Sequence, residues 1–123
     1  FAQPTIDTTI TEALVEAGYD VWLFDYRASI ALPSSTSEFT IDDIAKLDWP
    51  TAVAEVRRRT GADSVQAIGH CVGSVTILMA ILSGLEGVRS AVCSQFATLS
   101  PHESSEPTQK HVSCCRRVPR RWH

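Results

Sequence analysis

Apolar and polar positions along the first hundred residues fall into blocks with two different periods. Ile10, Ala13, Leu14 and Ala17 recur at intervals of three and four. This predicts a helix over residues 10–17, with Asp7 or Thr8 as its cap and Gly18 as its stop. Val21-Trp-Leu-Phe24 is a continuous apolar run at the centre of a strand over 19–26. Pro33 and the Ser34-Ser-Thr-Ser37 cluster mark a loop over 27–39. Thr40, with Asp43 in the third helical position, caps a short helix over 41–47. Asp48 and Pro50 signal a new helix start. Ala52, Val53 and Val56 form the inner face of that helix, which Gly61 ends.

The next block runs without a polar break. Residues 65–68 are apolar apart from Gln66 and predict a mostly buried strand. Residues 72–85, with Gly84 near the end, predict a buried helix, and a third strand follows Gly87 over 88–96. Alternation of helix and strand implies a parallel sheet with crossover helices. The expected fold is therefore α/β, three-layered, with about three parallel strands. Ligands in such folds bind beyond the carboxyl ends of the strands. Asp25, Tyr26, Arg27 and Cys71 fall at such ends. After Thr98 the periodicity stops, and no strand or helix is predicted there. Residues 1–98 are read as the core. Residues 99–123 are read as a tail, either disordered or foreign to the fold, as a frameshifted end would be.

The junction Gly69-His70-Cys71-Val72-Gly73 carries the candidate chemistry. It has the G-x-S-x-G form of a nucleophile elbow, with cysteine in place of serine. The nucleophile of such an elbow sits on a sharp strand-to-helix turn. Glycines at positions 69 and 73 would keep both flanks clear, and the Val72 N–H would face a developing oxyanion. The competing interpretation is a lone buried cysteine acting as a small hydrophobe. Strand, turn and helix in the required order favour the elbow.

Bulk properties narrow the setting. The chain has 123 residues, enough for one domain, and a hydrophobic fraction of 44%, which excludes wholesale disorder. The net charge of −3 hides an asymmetry: residues 1–99 carry 6 Lys+Arg against 12 Asp+Glu, and residues 100–123 carry 5 against 2. An acidic core gives no reason to expect nucleic acid. Arg116, Arg117, Arg120 and Arg121 in the tail are too weak a basic patch to change that. Cys71, Cys93, Cys114 and Cys115 do not form a disulfide framework, which points to a reducing, cytoplasmic compartment. Burial is the expected state of Cys93. No signal peptide or membrane span is legible, and a chain starting at Phe1 without Met reads as a fragment. Adjacent cysteines are not a zinc-ligand spacing, so no metal is expected at His111, Cys114, Cys115 and His123. Without a G-x-G-x-x-G, no nucleotide cofactor is expected either.

Taken together, residues 1–98 resemble the α/β-hydrolase superfamily. Gly18-Tyr-Asp-Val-Trp-Leu-Phe-Asp-Tyr-Arg27 looks like that family's strand leading into a D-x-R loop. The cysteine elbow is similar to those of polyhydroxyalkanoate synthases and dienelactone hydrolases. Asp25-Tyr-Arg-Ala-Ser29, Phe39-Thr-Ile-Asp-Asp-Ile44, Asp48-Trp-Pro50 and Gly69-His-Cys-Val-Gly-Ser74 resemble the hydrolase domains associated with bacterial GMC-type (cholesterol-oxidase-like) oxidoreductases. The resemblance implies an esterase, thioesterase or acyltransferase with Cys71 as nucleophile, acting on a small-molecule ester or thioester. It also implies an acid and a histidine after the nucleophile. No Asp follows Cys71; Glu86 should face away, and Glu103, Glu106, His102, His111 and His123 lie in the tail. The loop supplying a second oxyanion donor should precede Phe1. The expectation is thus a fragment that is inactive alone, or a non-catalytic accessory module. His70 is expected to pack beside the elbow, and Asp25 with Arg27 to form a surface pair worth about 0–1 kcal/mol. Open sheet edges suggest an oligomer.

Overall fold

The computed structural model describes residues 8–96 and 114–117. Asp7, the tail histidines, Glu103, Glu106, Arg120 and Arg121 lie outside them. Helix α1 (Ile10–Glu16) is capped by Thr9 and not by Asp7 or Thr8. The Glu12 N–H donates to Thr9 Oγ1, and the Thr9 N–H donates to the Glu12 carboxylate at 2.7 Å. This reciprocal pair is a capping box. It holds the Glu12 carboxyl below the usual range, chiefly through the Thr9 backbone bond. The inner face also differs from expectation. Thr11 is buried with Leu14 and Val15 half-buried, while Ile10, Ala13 and Ala17 are exposed.

Strand β1 (Trp22–Asp25) follows, half-buried throughout. Thr40 then caps α2 (Ile41–Asp43) through a second capping box with Asp43. A helix break is expected at 48–50, yet the chain stays helical. A π-helical turn, Ile44–Asp48, joins α2 to α3 (Trp49–Thr60). The Trp49 N–H reaches back five residues to the Ile44 carbonyl. Pro50 falls in the first turn of α3, where its missing N–H costs little. Asp48 does not cap α3. The wide turn points it inward instead, where it is fully buried. Gly61 ends α3 at φ 73°, and its N–H donates to the Arg57 carbonyl.

Strand β2 (Val65–His70), helix α4 (Val72–Leu82) and strand β3 (Val88–Ser94) form a β-α-β unit, with β2 and β3 parallel. The α/β class with a small parallel sheet therefore stands. The sheet is smaller than the three strands expected: β1 does not join β2, and β2 pairs with β3 alone among the described residues. β1 instead pairs antiparallel with β4 (Cys114–Arg117), placing Trp22 opposite Arg117 and Asp25 opposite Cys114. A strand in that segment was not expected. Its residues have no apolar period, and its pairing is set by the open edge of β1, which local sequence does not encode.

Helices cover one side of the β2–β3 sheet. Ile44, Ala45, Trp49, Ala67, Ile77 and Ala80 form the buried cluster, with Phe24, Tyr26, Met79, Leu85 and Val88 packed against it. Phe24 meets Trp49 edge-on at 4.8 Å between ring centres. The Trp49 Nε1–H donates to Thr76 Oγ1 at 3.0 Å, so both buried polar groups are satisfied. The opposite side of the sheet is bare among the described residues, which the mostly buried β2 expected from sequence did not anticipate. Gln66, Ile68 and His70 are exposed there, as are Ser90 and Val92.

Candidate functional site

β2 delivers Cys71 to its carboxyl end, and α4 starts at the next residue. Cys71 has φ 53° and ψ −117°. Such a backbone costs a non-glycine residue about 1–3 kcal/mol and persists only where the surroundings impose it. The thiol is exposed, so the interpretation as a lone buried cysteine does not fit. Gly69 explains part of the turn. A Cβ there would sit 2.7 Å from the Gly73 carbonyl oxygen and 2.9 Å from the Ser74 Cα. Only a glycine lets β2 and α4 approach this closely. Gly73 differs from the expectation: a Cβ there meets nothing within 4 Å among the described residues.

The Cys71 N–H donates to the Ser94 carbonyl at 3.0 Å. The Cys71 carbonyl accepts from the N–H groups of Ser74 at 3.0 Å and Val75 at 3.3 Å. Val72 opens α4, so its N–H has no intrahelical acceptor and lies beside the thiol-bearing residue. Ser74 Oγ donates to the Ser94 carbonyl at 2.7 Å.

His70 is exposed rather than packed, with Nδ1 2.9 Å from Ser94 Oγ on the bare side of the sheet. Cys93 is also exposed, contrary to expectation, because no further element covers β3 among the described residues. Its Sγ lies 3.7 Å from the Ser74 carbonyl. Glu86 is exposed in the turn between α4 and β3.

Burial pushes the Tyr26 hydroxyl above the usual phenol range, and a charge on the nearby Cys71 sulfur adds to the effect. Arg27 does not pair with Asp25 at the surface. It is 2% exposed and binds Asp48, which is 0% exposed. Its Nη2 lies 2.8 Å from Asp48 Oδ1, Nε contacts both carboxylate oxygens, and its backbone N–H donates to Oδ2 at 3.0 Å. This pair fastens the loop after β1 to the π-helical turn. The bond to Asp48 raises the Arg27 guanidinium further above its usual range.

Among the described residues, no cluster of three or more His, Cys, Asp or Glu side chains is placed to hold a metal ion. No described helix is long and apolar enough to cross a membrane. A groove of about 620 Å³ lies between α3 and the end of α4, lined by Ala45, Pro50, Val53, Arg57, Ala80 and Leu85 among others. None of its lining residues belongs to the elbow. Ser74 and Thr76 carry no motif of their own that would single them out. Both are polar residues, fully buried, inside the otherwise apolar run of α4, and that placement was the available signal.

No family model matches the chain, and no solved structure matches it. Curated relatives do. The chain is 32% identical over 73 residues to the poly(3-hydroxyalkanoate) polymerase subunit PhaC of Haloferax mediterranei, covering 59% of this chain and 14% of that one. It is 30% identical over 95 residues to lipase lipl-3 of Caenorhabditis elegans, covering 70% of this chain and 23% of the lipase. It is 31% identical over 70 residues to gastric triacylglycerol lipase of Rattus norvegicus, covering 50% and 18%. The chain thus spans less than a quarter of the length of these relatives. With the mixed fold and its small parallel sheet, they mark an α/β-hydrolase-like region.

Proposed function

We propose that this chain is a piece of an esterase, thioesterase or acyltransferase in which Cys71 is the nucleophile. The observation that carries the proposal is the exposed Cys71 at φ 53° between β2 and α4. The thiolate would attack the ester or thioester carbonyl, forming a new C–S bond while the carbonyl oxygen takes up negative charge. The Val72 N–H would stabilise that oxyanion. Collapse would expel the alkoxide or thiolate, which takes a proton, and leave an acyl thioester on Cys71. Water or an acceptor hydroxyl would then release the acyl group.

By their names, the relatives include a poly(3-hydroxyalkanoate) polymerase subunit and a triacylglycerol lipase. Acyl esters and thioesters are the corresponding substrate class here. Turnover by this chain alone is expected to be slow. Among the described residues the only histidine is His70, and its Nδ1 engages Ser94 Oγ on the bare side of the sheet. The same observation supports the second reading, a non-catalytic module.

Incubation with p-nitrophenyl butyrate separates the two. The expected result is one equivalent of p-nitrophenolate per chain, a butyryl adduct on Cys71 by peptide mass spectrometry, and little further release. Neither should occur in Cys71→Ala. Absence of the adduct from Cys71, or equal release by both proteins, leaves the non-catalytic module.

A further inference from the structure

We infer that Ser74 is a positioning residue that closes a hydrogen-bonded ring around Cys71 and holds it in its positive-φ backbone conformation. The inference rests on Cys71 as the functional thiol. A strained residue keeps its conformation only if its neighbours over-determine it, and three bonds do so here. The Cys71 N–H donates to the Ser94 carbonyl at 3.0 Å. The Ser74 hydroxyl donates to that same carbonyl at 2.7 Å. The Ser74 N–H donates to the Cys71 carbonyl at 3.0 Å. Ser74 thus binds both the carbonyl of Cys71 and the acceptor of its N–H, closing the circuit from Cys71 through Ser74 and Ser94 back to Cys71.

This use of the hydroxyl is specific. A serine inside a helix ordinarily bonds a carbonyl of the preceding turn, as the Thr76 hydroxyl does with the Val72 carbonyl at 2.9 Å. The Ser74 hydroxyl instead reaches across 20 residues to the end of β3. It does so from a fully buried position, where an unpaired hydroxyl would be costly. The ring therefore couples the geometry of the elbow to the end of the neighbouring strand. Without it, Cys71 relaxes toward an ordinary backbone and the thiol turns from the tip of the bend.

The test is alkylation of the full chain by iodoacetamide, read cysteine by cysteine by mass spectrometry. In Ser74→Ala, Cys71 labelling should slow about fivefold or more, as loss of one buried hydrogen bond allows. Cys115, which is buried, should stay protected. Thr76→Val removes an equally buried hydroxyl without touching the ring, and should leave the Cys71 rate within about twofold. A Cys71 rate in Ser74→Ala within that same margin overturns the inference, as does equal slowing in both variants.

If Ser74→Ala exposes Cys115, it has opened, and amide exchange in the unmodified chain decides. The Cys71 N–H should exchange at least about tenfold more slowly than the Val72 N–H. Equal rates overturn the ring. Neither readout requires turnover. Failure of Cys71 to take an acyl group would remove the proposed chemistry and leave this inference standing.

Discussion

The two sides of the β2–β3 sheet differ in almost everything except the strands they share. On the helix side, Ala67 and Gly69 are buried against α4, and Ser74, Thr76 and Ile77 are fully enclosed. On the bare side, the cross-strand pairs are Gln66 with Ser90, Ile68 with Val92 and His70 with Ser94. The polar pairs are hydrogen-bonded at 3.2 and 2.9 Å, but Val92 is 59% exposed. The helix side therefore carries the burial and holds the strained turn. The bare side contributes little to stability, and among the described residues nothing packs over its apolar pair.

The largest expected effect lies on the helix side. Asp48→Ala leaves Arg27 charged and buried without its carboxylate, and should cost about 3–5 kcal/mol. Chemical denaturation measures it, and a loss below about 1 kcal/mol would show that the pair behaves as a surface pair. Gly69→Ala comes next. Its Cβ would overlap the Gly73 carbonyl oxygen, an overpacking worth about 1–3 kcal/mol. Gly73→Ala, four residues away, meets open space and should gain up to about 1 kcal/mol from helix propensity. Equal effects at the two glycines would contradict the close approach of β2 to α4.

On the bare side, Ile68→Thr with Val92→Thr should change unfolding free energy by only about 0.5 kcal/mol. Chemical denaturation measures it, and a loss above about 2 kcal/mol would place Ile68 and Val92 among the buried contacts instead. The smallest effect belongs to the solvent face of α3. Arg58 and Arg59 hold the Glu55 carboxyl down at about 2, from an ordinary 4.5. A depressed folded-state value stabilises the fold above pH 4.5 and is lost as the pH falls toward 2. Helix content should decline across that window, less steeply in Glu55→Gln. Identical profiles would show that the exposed cluster adds nothing measurable.

What the sequence disclosed follows the range of the interactions involved. The order of β2, turn and α4 was legible because it rests on neighbours, an apolar strand, Gly69 and an apolar helix. Thr40 and Gly61 were legible as caps for the same reason. The partner of Arg27 was not. Asp25 lies two residues away and Asp48 twenty-one, and only the π-helical turn brings the second inward. β4 escaped notice because Cys114–Arg117 shows no apolar period and takes its place from the open edge of β1. At the site, Cys71 and Gly69 stood out by motif. Ser94 did not, because it acts mainly through a backbone carbonyl, which every residue possesses.

The turn Ile44–Asp48 also absorbs a residue within the helical run. It closes on a hydrogen bond five residues long, one more than in an α-helix, so the chain leaves it in nearly the direction a regular helix would. Removing one residue, Lys46 for instance, would let α2 and α3 merge at normal pitch, with the Thr40 cap and the buried face of α3 keeping their orientation. Only the side chains inside the turn would be redirected. The surplus residue works as a splice, a single insertion that turns one carboxylate inward and leaves the flanking faces where they were.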